Sequence, residues 1–290
     1  MTNTLKTLGL RGLSSVSTLI FTFLATNFYG LKEVGSFAIF LAVSSFIYFL
    51  VKFGMELPLF VDLTNNDDFK KMSILNEYKN LQNKIFVLFT IVSFPIGYFF
   101  NFDNLFLMYI TGFFMSKTII NAFAIRSLGH QNIFVLLQNG NANFFGILFL
   151  CIFQIFPMEN SIITSFFLGN IFLFFLSHIS LKFLFDFNRT FDDKLESIGS
   201  KKIISNSFVY LCIDMVNNIF TWTPLLVIYF LFSEIEQGIF LNIAKLGSVF
   251  IILLFILETI VMKDLAEMAN KGLFSSIKKL VKYPKNQMIV

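Results

Sequence analysis

The stretch Glu33-Val34-Gly35-Ser36-Phe37 returns near the end of the chain as Glu236-Gln237-Gly238-Ile239-Phe240, and each copy begins a long apolar run. By our assignment, the second run is the sixth apolar span after the first. An even number of spans gives both copies the same orientation, so the pattern predicts a parallel repeat of a six-helix unit. We expect the glycine of each copy to allow a tight turn into the helix that follows.

The composition is that of a membrane protein. Hydrophobic residues make up 56% of the 290 residues, only 14% are charged, and the mean hydropathy is +0.75. Soluble domains carry nearer a quarter of charged residues. The apolar blocks are long enough to cross a hydrocarbon core of about 30 Å as helices. The sequence therefore predicts an all-α polytopic membrane protein with about eight transmembrane helices.

The predicted helices fall into one complete six-helix lobe and the first two helices of a second lobe. The predicted spans are 9–29, 34–56, 83–100, 105–125, 132–156, 161–184, 204–232 and 238–262. The corresponding domains are an N-terminal lobe (1–185), a cytoplasmic linker (186–203), the first two helices of the second lobe (204–262) and a cytoplasmic tail (263–290).

The distribution of basic residues predicts the orientation. With the N-terminus inside the cell, nearly all of the 22 Lys and Arg residues lie on the cytoplasmic side, as in most polytopic membrane proteins. Both termini are then cytoplasmic. The outer loops are very short, so we expect no external catalytic domain and do not expect an enzyme. Cys151 and Cys212 both fall inside predicted spans and indicate neither a disulfide framework nor a metal site. No cofactor is expected.

Three segments resemble a known family. These are Leu31–Phe37 with the span end Lys52-Phe53-Gly54-Met55-Glu56, then Glu236–Leu246, and finally Val261–Glu267. Together they resemble bacterial polysaccharide and O-antigen flippases of the multidrug/oligosaccharidyl-lipid/polysaccharide exporter superfamily. Members of this family typically have twelve or more spans in two six-helix lobes. The chain is C-terminally short by comparison, which leaves a truncated or split form as one interpretation.

The resemblance implies a function in surface polysaccharide and lipopolysaccharide synthesis. Such a protein would carry polyprenyl-pyrophosphate-linked oligosaccharide across the bacterial cytoplasmic (inner) membrane by alternating access. Its expected partners are that substrate, membrane lipids, and a polysaccharide polymerase machinery or a separately encoded C-terminal part, with no nucleic acid. The alternatives are a cation-coupled multidrug exporter and a non-functional fragment of a flippase.

Charged residues inside predicted spans are the first candidates for a substrate cavity, because a charge in hydrocarbon is costly. They are Lys117, Asp214, Lys245 and Glu258. The functional interpretation is a cationic cavity for a pyrophosphate, with a carboxylate that couples to a proton or another cation. The alternative is that Lys117 and Glu258 extend to the membrane surface, and that Asp214 pairs with a neighbouring helix.

The first span carries a polar stripe at helical spacing. Its members are Arg11, Ser14, Thr18, Thr22 and Thr26. The stripe either lines a cavity or packs helices through small polar residues, which is common in membranes. The family resemblance favours the cavity. Span five also carries amides at Gln138, Asn139, Asn141 and Asn143, for which we expect packing inside the first lobe.

Overall fold

The computed structural model describes residues 2–66, 68–99, 104–138, 141–156, 158–185 and 199–247. The chain forms two compact units, Met1–Lys245 and Leu246–Val290, and only residues 246 and 247 of the second are described. Most of the predicted linker, the second half of the predicted span 238–262 and the predicted tail lie outside the described residues.

All regular secondary structure in the described ranges is helical, which confirms the all-α prediction for that part of the chain. The helices are α1 (Thr2–Lys52), α2 (Glu56–Thr64), α3 (Asp68–Phe99), α4 (Leu105–Ser127), α5 (Gln131–Leu136), α6 (Ala142–Ile155), α7 (Ser161–Leu184) and α8 (Ser200–Leu231). Residues 234–247 are also helical and are called α9.

Three helical stretches are long and apolar enough to cross a membrane, judged by length and composition. They are Gly12–Thr64, Leu105–Ser127 and Ser161–Leu184, and α6 is a shorter apolar helix. The first stretch covers most of the predicted span 9–29 and all of 34–56, and the other two match the predicted spans 105–125 and 161–184. The count of about eight spans therefore stays a prediction.

Two breaks divide the first stretch. Gly30 is non-helical (φ 84°, ψ 170°) and separates α1 into two arms. Phe53 (φ 51°) and Gly54 (φ 65°) then end α1 and lead into α2. The turn that we expected at Gly35 is therefore at Gly30, because a residue without a Cβ adopts positive φ at little cost. Gly35 itself lies inside the second arm.

The predicted continuous span 132–156 is wrong. The chain leaves the helix after α5 and re-enters it at α6. The Asn141 side chain donates from Nδ2 to the carbonyl oxygens of Val135 and Leu136, both at 2.8 Å. These bonds satisfy carbonyl groups at the end of α5 that would otherwise need helical N–H partners, which stabilises the break.

Aromatic packing joins the two arms of α1 to α7. Phe37 lies 5.4 Å from Phe166 and 5.5 Å from Phe21, measured between ring centroids, and Phe40 contacts Phe166 at 6.4 Å. All four rings are buried. Contacts of this kind add stability beyond the apolar area that they bury. The start of the second arm, which carries the first copy of the repeat, is therefore fixed within the core.

Candidate functional site

The break after Lys52 lies directly against the backbone of α8. A Cβ placed on Gly54 would be 2.5 Å from Leu211 N, 2.7 Å from Ser207 O and 2.9 Å from the Tyr210 carbonyl carbon. These distances are shorter than any ordinary contact, so the approach requires glycine. The positive φ of Gly54 imposes the same requirement. The end of α1 and the middle of α8 are held together at this point.

Three charged side chains meet beside this approach, and we call them the charge cluster: Lys52, Glu56 and Asp214. The Lys52 ammonium donates to Asp214 Oδ2 at 2.6 Å and to Glu56 Oε1. The side chains of Lys52, Glu56 and Asp214 are 9%, 10% and 27% exposed. The Lys52 Nζ also lies 5.5 Å from the ring centroid of Tyr48. One ammonium thus faces two carboxylates.

The second carboxylate oxygen of Glu56 is in an unusual position. Glu56 Oε2 is buried and has no hydrogen-bond partner among the described residues. A buried charged oxygen without a hydrogen bond loses its hydration, and here only the Lys52 contact at Oε1 offsets that cost. Within the cluster one ammonium faces two carboxylates, and one buried carboxylate oxygen has no hydrogen bond among the described residues.

Sequence reasoning identified only one member of the charge cluster. Asp214 was a candidate, and the structure pairs it with Lys52 on a neighbouring helix. Lys52 and Glu56 were missed because they stand at the end of a predicted span. The available signal was an oppositely charged pair four residues apart with a glycine between its members, at the end of a predicted span. The partner on α8 could not be read from local sequence.

The polar stripe of the first span packs against other helices. Thr18 accepts a hydrogen bond from Asn143 Nδ2 of α6 at 2.9 Å, and Thr26 bonds with Asn242 of α9 at 3.1–3.2 Å. Thr22 is only 3% exposed and bonds to the carbonyl oxygen of Thr18. The hydroxyls of Ser17 and Thr18 likewise bond to the Ser14 carbonyl oxygen. The side chain of Arg11 is not described, so its cavity role stays a prediction.

Lys117 lies on the contact between α3 and α4. Its Nζ donates to the carbonyl oxygen of Lys79 at 3.2 Å, and Gln82 Nε2 of α3 donates to Ser116 O of α4 at 2.8 Å. Lys117 Nζ is also 5.3 Å from the Phe113 ring centroid. Thus α3 and α4 each donate one side-chain hydrogen bond to a backbone carbonyl oxygen of the other helix. Burial lowers the pKa of Lys79, which precedes the third predicted span, to about 8.

The two remaining candidates, Lys245 and Glu258, come late in the sequence. Lys245 is partly exposed near the end of the described part of α9. Glu258 lies outside the described residues. Within the described ranges, no group of three or more His, Cys, Asp or Glu side chains is placed to hold a metal ion, and Cys151 and Cys212 are free thiols.

The two copies of the repeat pack on each other in a reciprocal way. A Cβ on Gly35 would overlap the carbonyl oxygen of Glu234, and a Cβ on Gly238 would overlap the carbonyl oxygen of Leu31. The offset that relates Gly35 to Gly238 also relates Leu31 to Glu234. Each glycine therefore contacts the carbonyl that precedes the other glycine by one turn. Small residues permit such close crossings of membrane helices.

No family model, curated protein or solved structure matches the chain. The flippase resemblance therefore rests on the sequence segments quoted above. The fold defines a coarser class: over the described ranges the protein is all-helical, and several of its helices are long and apolar enough to span a membrane.

Proposed function

We propose that the chain is a membrane transporter of the flippase type, which moves a polyprenyl-pyrophosphate-linked oligosaccharide across the bacterial cytoplasmic membrane. The observation that carries this proposal is the reciprocal contact at Gly35 and Gly238. Transporters are commonly built from two related helical repeats that move against each other around a central substrate site. A crossing at which both repeats use equivalent residues is the kind of contact that such a motion needs.

The outer surface of the helices supports a membrane location. The end of α3 exposes Val87, Leu88, Ile91 and Val92, and α8 exposes Phe208, Val209, Ile213 and Val216. Contiguous exposed apolar surfaces of this size mark membrane or protein contacts. In our proposal these faces contact lipid, and the chain keeps both termini in the cytoplasm.

In this proposal the phosphate groups are held by cations near the first arm of α1. Lys245 follows Asn242 on α9, and Asn242 is bonded to Thr26 of that arm. Lys245 and Arg11 are the side chains that we assign to the pyrophosphate, since ammonium and guanidinium groups form strong charge-assisted bonds with phosphate. The Lys52 ammonium is already engaged by two carboxylates, so we assign it no role in binding phosphate.

A second candidate function is cation-coupled export of amphipathic drugs. The charge cluster favours it, because two carboxylates share one ammonium and the site carries a formal negative charge. A cation-coupled exporter needs an acidic group that exchanges its cation during the cycle. The cluster fits that requirement better than it fits recognition of an anionic substrate.

The test is a flipping assay with the full chain in liposomes. A fluorescent polyprenyl-pyrophosphate disaccharide is placed in both leaflets, and a membrane-impermeant quencher is added outside. We expect the wild type to give complete quenching and protein-free liposomes to quench only the outer leaflet. The variant Gly238→Val, which separates the repeats, should lose activity, whereas Gly129→Ala should keep it, because a Cβ on Gly129 meets nothing within 4 Å.

Quenching by the wild type that matches protein-free liposomes would overturn the flippase proposal. Uptake of a cationic dye by the same liposomes, driven by an imposed pH gradient, would then support the exporter. Circular dichroism of the same liposomes checks that the protein is folded, so that loss of both activities in folded protein overturns both proposals.

A further inference from the structure

The charge cluster contains one more negative than positive charge in a largely buried place. Lys52 is the ammonium that both Glu56 and Asp214 contact. Burial makes an uncompensated charge expensive, and the cost is removed if one carboxylate takes up a proton. Of the two carboxylates, Glu56 is the more buried, and its Oε2 has no hydrogen-bond partner among the described residues.

The surrounding elements supply no second cation to Glu56 in the described contacts. Arg126 of α4 stacks on the ring of Phe60, one turn further along α2, at 5.0 Å. Tyr78 of α3 donates to Asp62, which lies still further along α2. The phenol of Tyr48 on α1 faces Lys52 through its ring. Lys52 is thus the cation that faces Glu56.

We propose that the charge cluster is a proton-binding site, in which Glu56 Oε2 takes up one proton from water and so controls the attachment of α8. The proton forms an O–H bond on Glu56, Lys52 stays an ammonium, and the net charge of the cluster changes from −1 to zero. The inference does not depend on which solute the chain carries.

Protonation strengthens the contact between the first lobe and α8. With Glu56 neutral, Lys52 and Asp214 form a balanced pair at 2.6 Å. With Glu56 ionised, the two carboxylates compete for one ammonium and repel each other. Asp214 is 27% exposed, so the cluster is open on that side, and the proposal assigns the entry of the proton to that side. Acid therefore favours the attached form of α8, and alkali favours its release from the Gly54 break.

The test is infrared difference spectroscopy of the full chain in lipid nanodiscs, titrated between about pH 5 and pH 9, a range above the pKa of exposed carboxyl groups. We expect the carbonyl stretch of a protonated carboxyl to grow on acidification. Labelling with ¹³C-glutamate should shift that band, which assigns it to Glu. The band should vanish in Glu56→Gln and persist in Glu236→Gln, a matched change at an exposed carboxyl.

Three outcomes would overturn the proposal: no titrating band in the wild type, a band unmoved by the glutamate label, or a band that persists in Glu56→Gln. The first two of these outcomes refute the proposal even if Glu56→Gln fails to fold, because both are measured on the wild type. Amide hydrogen exchange of residues 200–216, corrected for the intrinsic effect of pH, gives the second measurement. Protection should rise on acidification in the wild type and be high and independent of pH in Glu56→Gln.

Discussion

Replacing Gly54 with Ala tests whether the close approach to α8 holds the charge cluster together. The new Cβ would lie 2.5 Å from Leu211 N, and an ordinary contact needs about 3.4 Å, so the two segments must separate by about 0.9 Å. If Lys52 moves with the break, its 2.6 Å contact with Asp214 lengthens to about 3.5 Å. That distance is no longer a good hydrogen bond.

The expected loss combines two contributions. At an effective dielectric constant of about 20, the longer Lys52–Asp214 distance lowers the Coulomb attraction by about 1.6 kcal/mol, and partial exposure of Asp214 reduces this to about 1 kcal/mol. Positive φ at Gly54 adds about 1–2 kcal/mol for an alanine. Gly54→Ala should therefore lower the free energy of unfolding by about 2–3 kcal/mol, and overpacking against α8 should add to this loss.

Gly129→Ala is the matched control. Gly129 also has positive φ (88°), but a Cβ there meets nothing within 4 Å. Only the backbone contribution of about 1–2 kcal/mol should appear. Both variants are unfolded by sodium dodecyl sulfate in mixed micelles and followed by circular dichroism. If Gly54→Ala is no more destabilising than Gly129→Ala, the approach to α8 is not a tight contact and the reasoning fails.

Three further predictions use the same unfolding measurement. Gly35→Ala and Gly238→Ala should each lower the free energy of unfolding by about 1–3 kcal/mol. The double variant should lose clearly less than the sum, since both substitutions push apart the same two helices. Strict additivity would argue against a shared contact. Lys52→Met should lower the free energy of unfolding by about 3–5 kcal/mol, and adding Glu56→Gln should restore part of that stability. If no stability is restored, Lys52 and Glu56 are not coupled as the charge cluster requires. Because burial lowers the pKa of Lys79 from 10.5 to about 8, the folded chain binds fewer protons, so stability should rise with pH across that interval. Lys79→Met should flatten this rise of stability with pH. If the slope is the same as in the wild type, Lys79 is not its source.

The sequence predicted the elements whose signal is local. Apolar runs located the helices α4 and α7 within two residues at each end, and the two arms of α1 match two predicted spans. The repeat was visible as a pentapeptide, although its glycines serve a helix crossing rather than a turn. That difference could not be read from one copy, because the crossing depends on where the other copy lies.

The features that escaped sequence reasoning depend on contacts between distant segments. The span 132–156 looks continuous in hydropathy, and the break is stabilised by the side chain of Asn141 on carbonyl groups of α5. Asp214 was a candidate because a charge in an apolar run is unusual. Its partner Lys52 is 162 residues away in the sequence. The cluster forms only because Gly54, which has no Cβ, lets the backbone of α8 approach closely.

The reciprocal crossing also has an evolutionary consequence. If the two copies arose by duplication, two codons, at Gly35 and Gly238, encode the glycines of a single helix crossing. Selection on that crossing then acts on both positions together. A larger residue at Gly35 displaces the same pair of helices as a larger residue at Gly238. A lineage that places a larger residue at one position would lose the close crossing that the other position permits. Among descendants of the same duplication, the two sites should therefore lose or retain glycine together rather than drift independently.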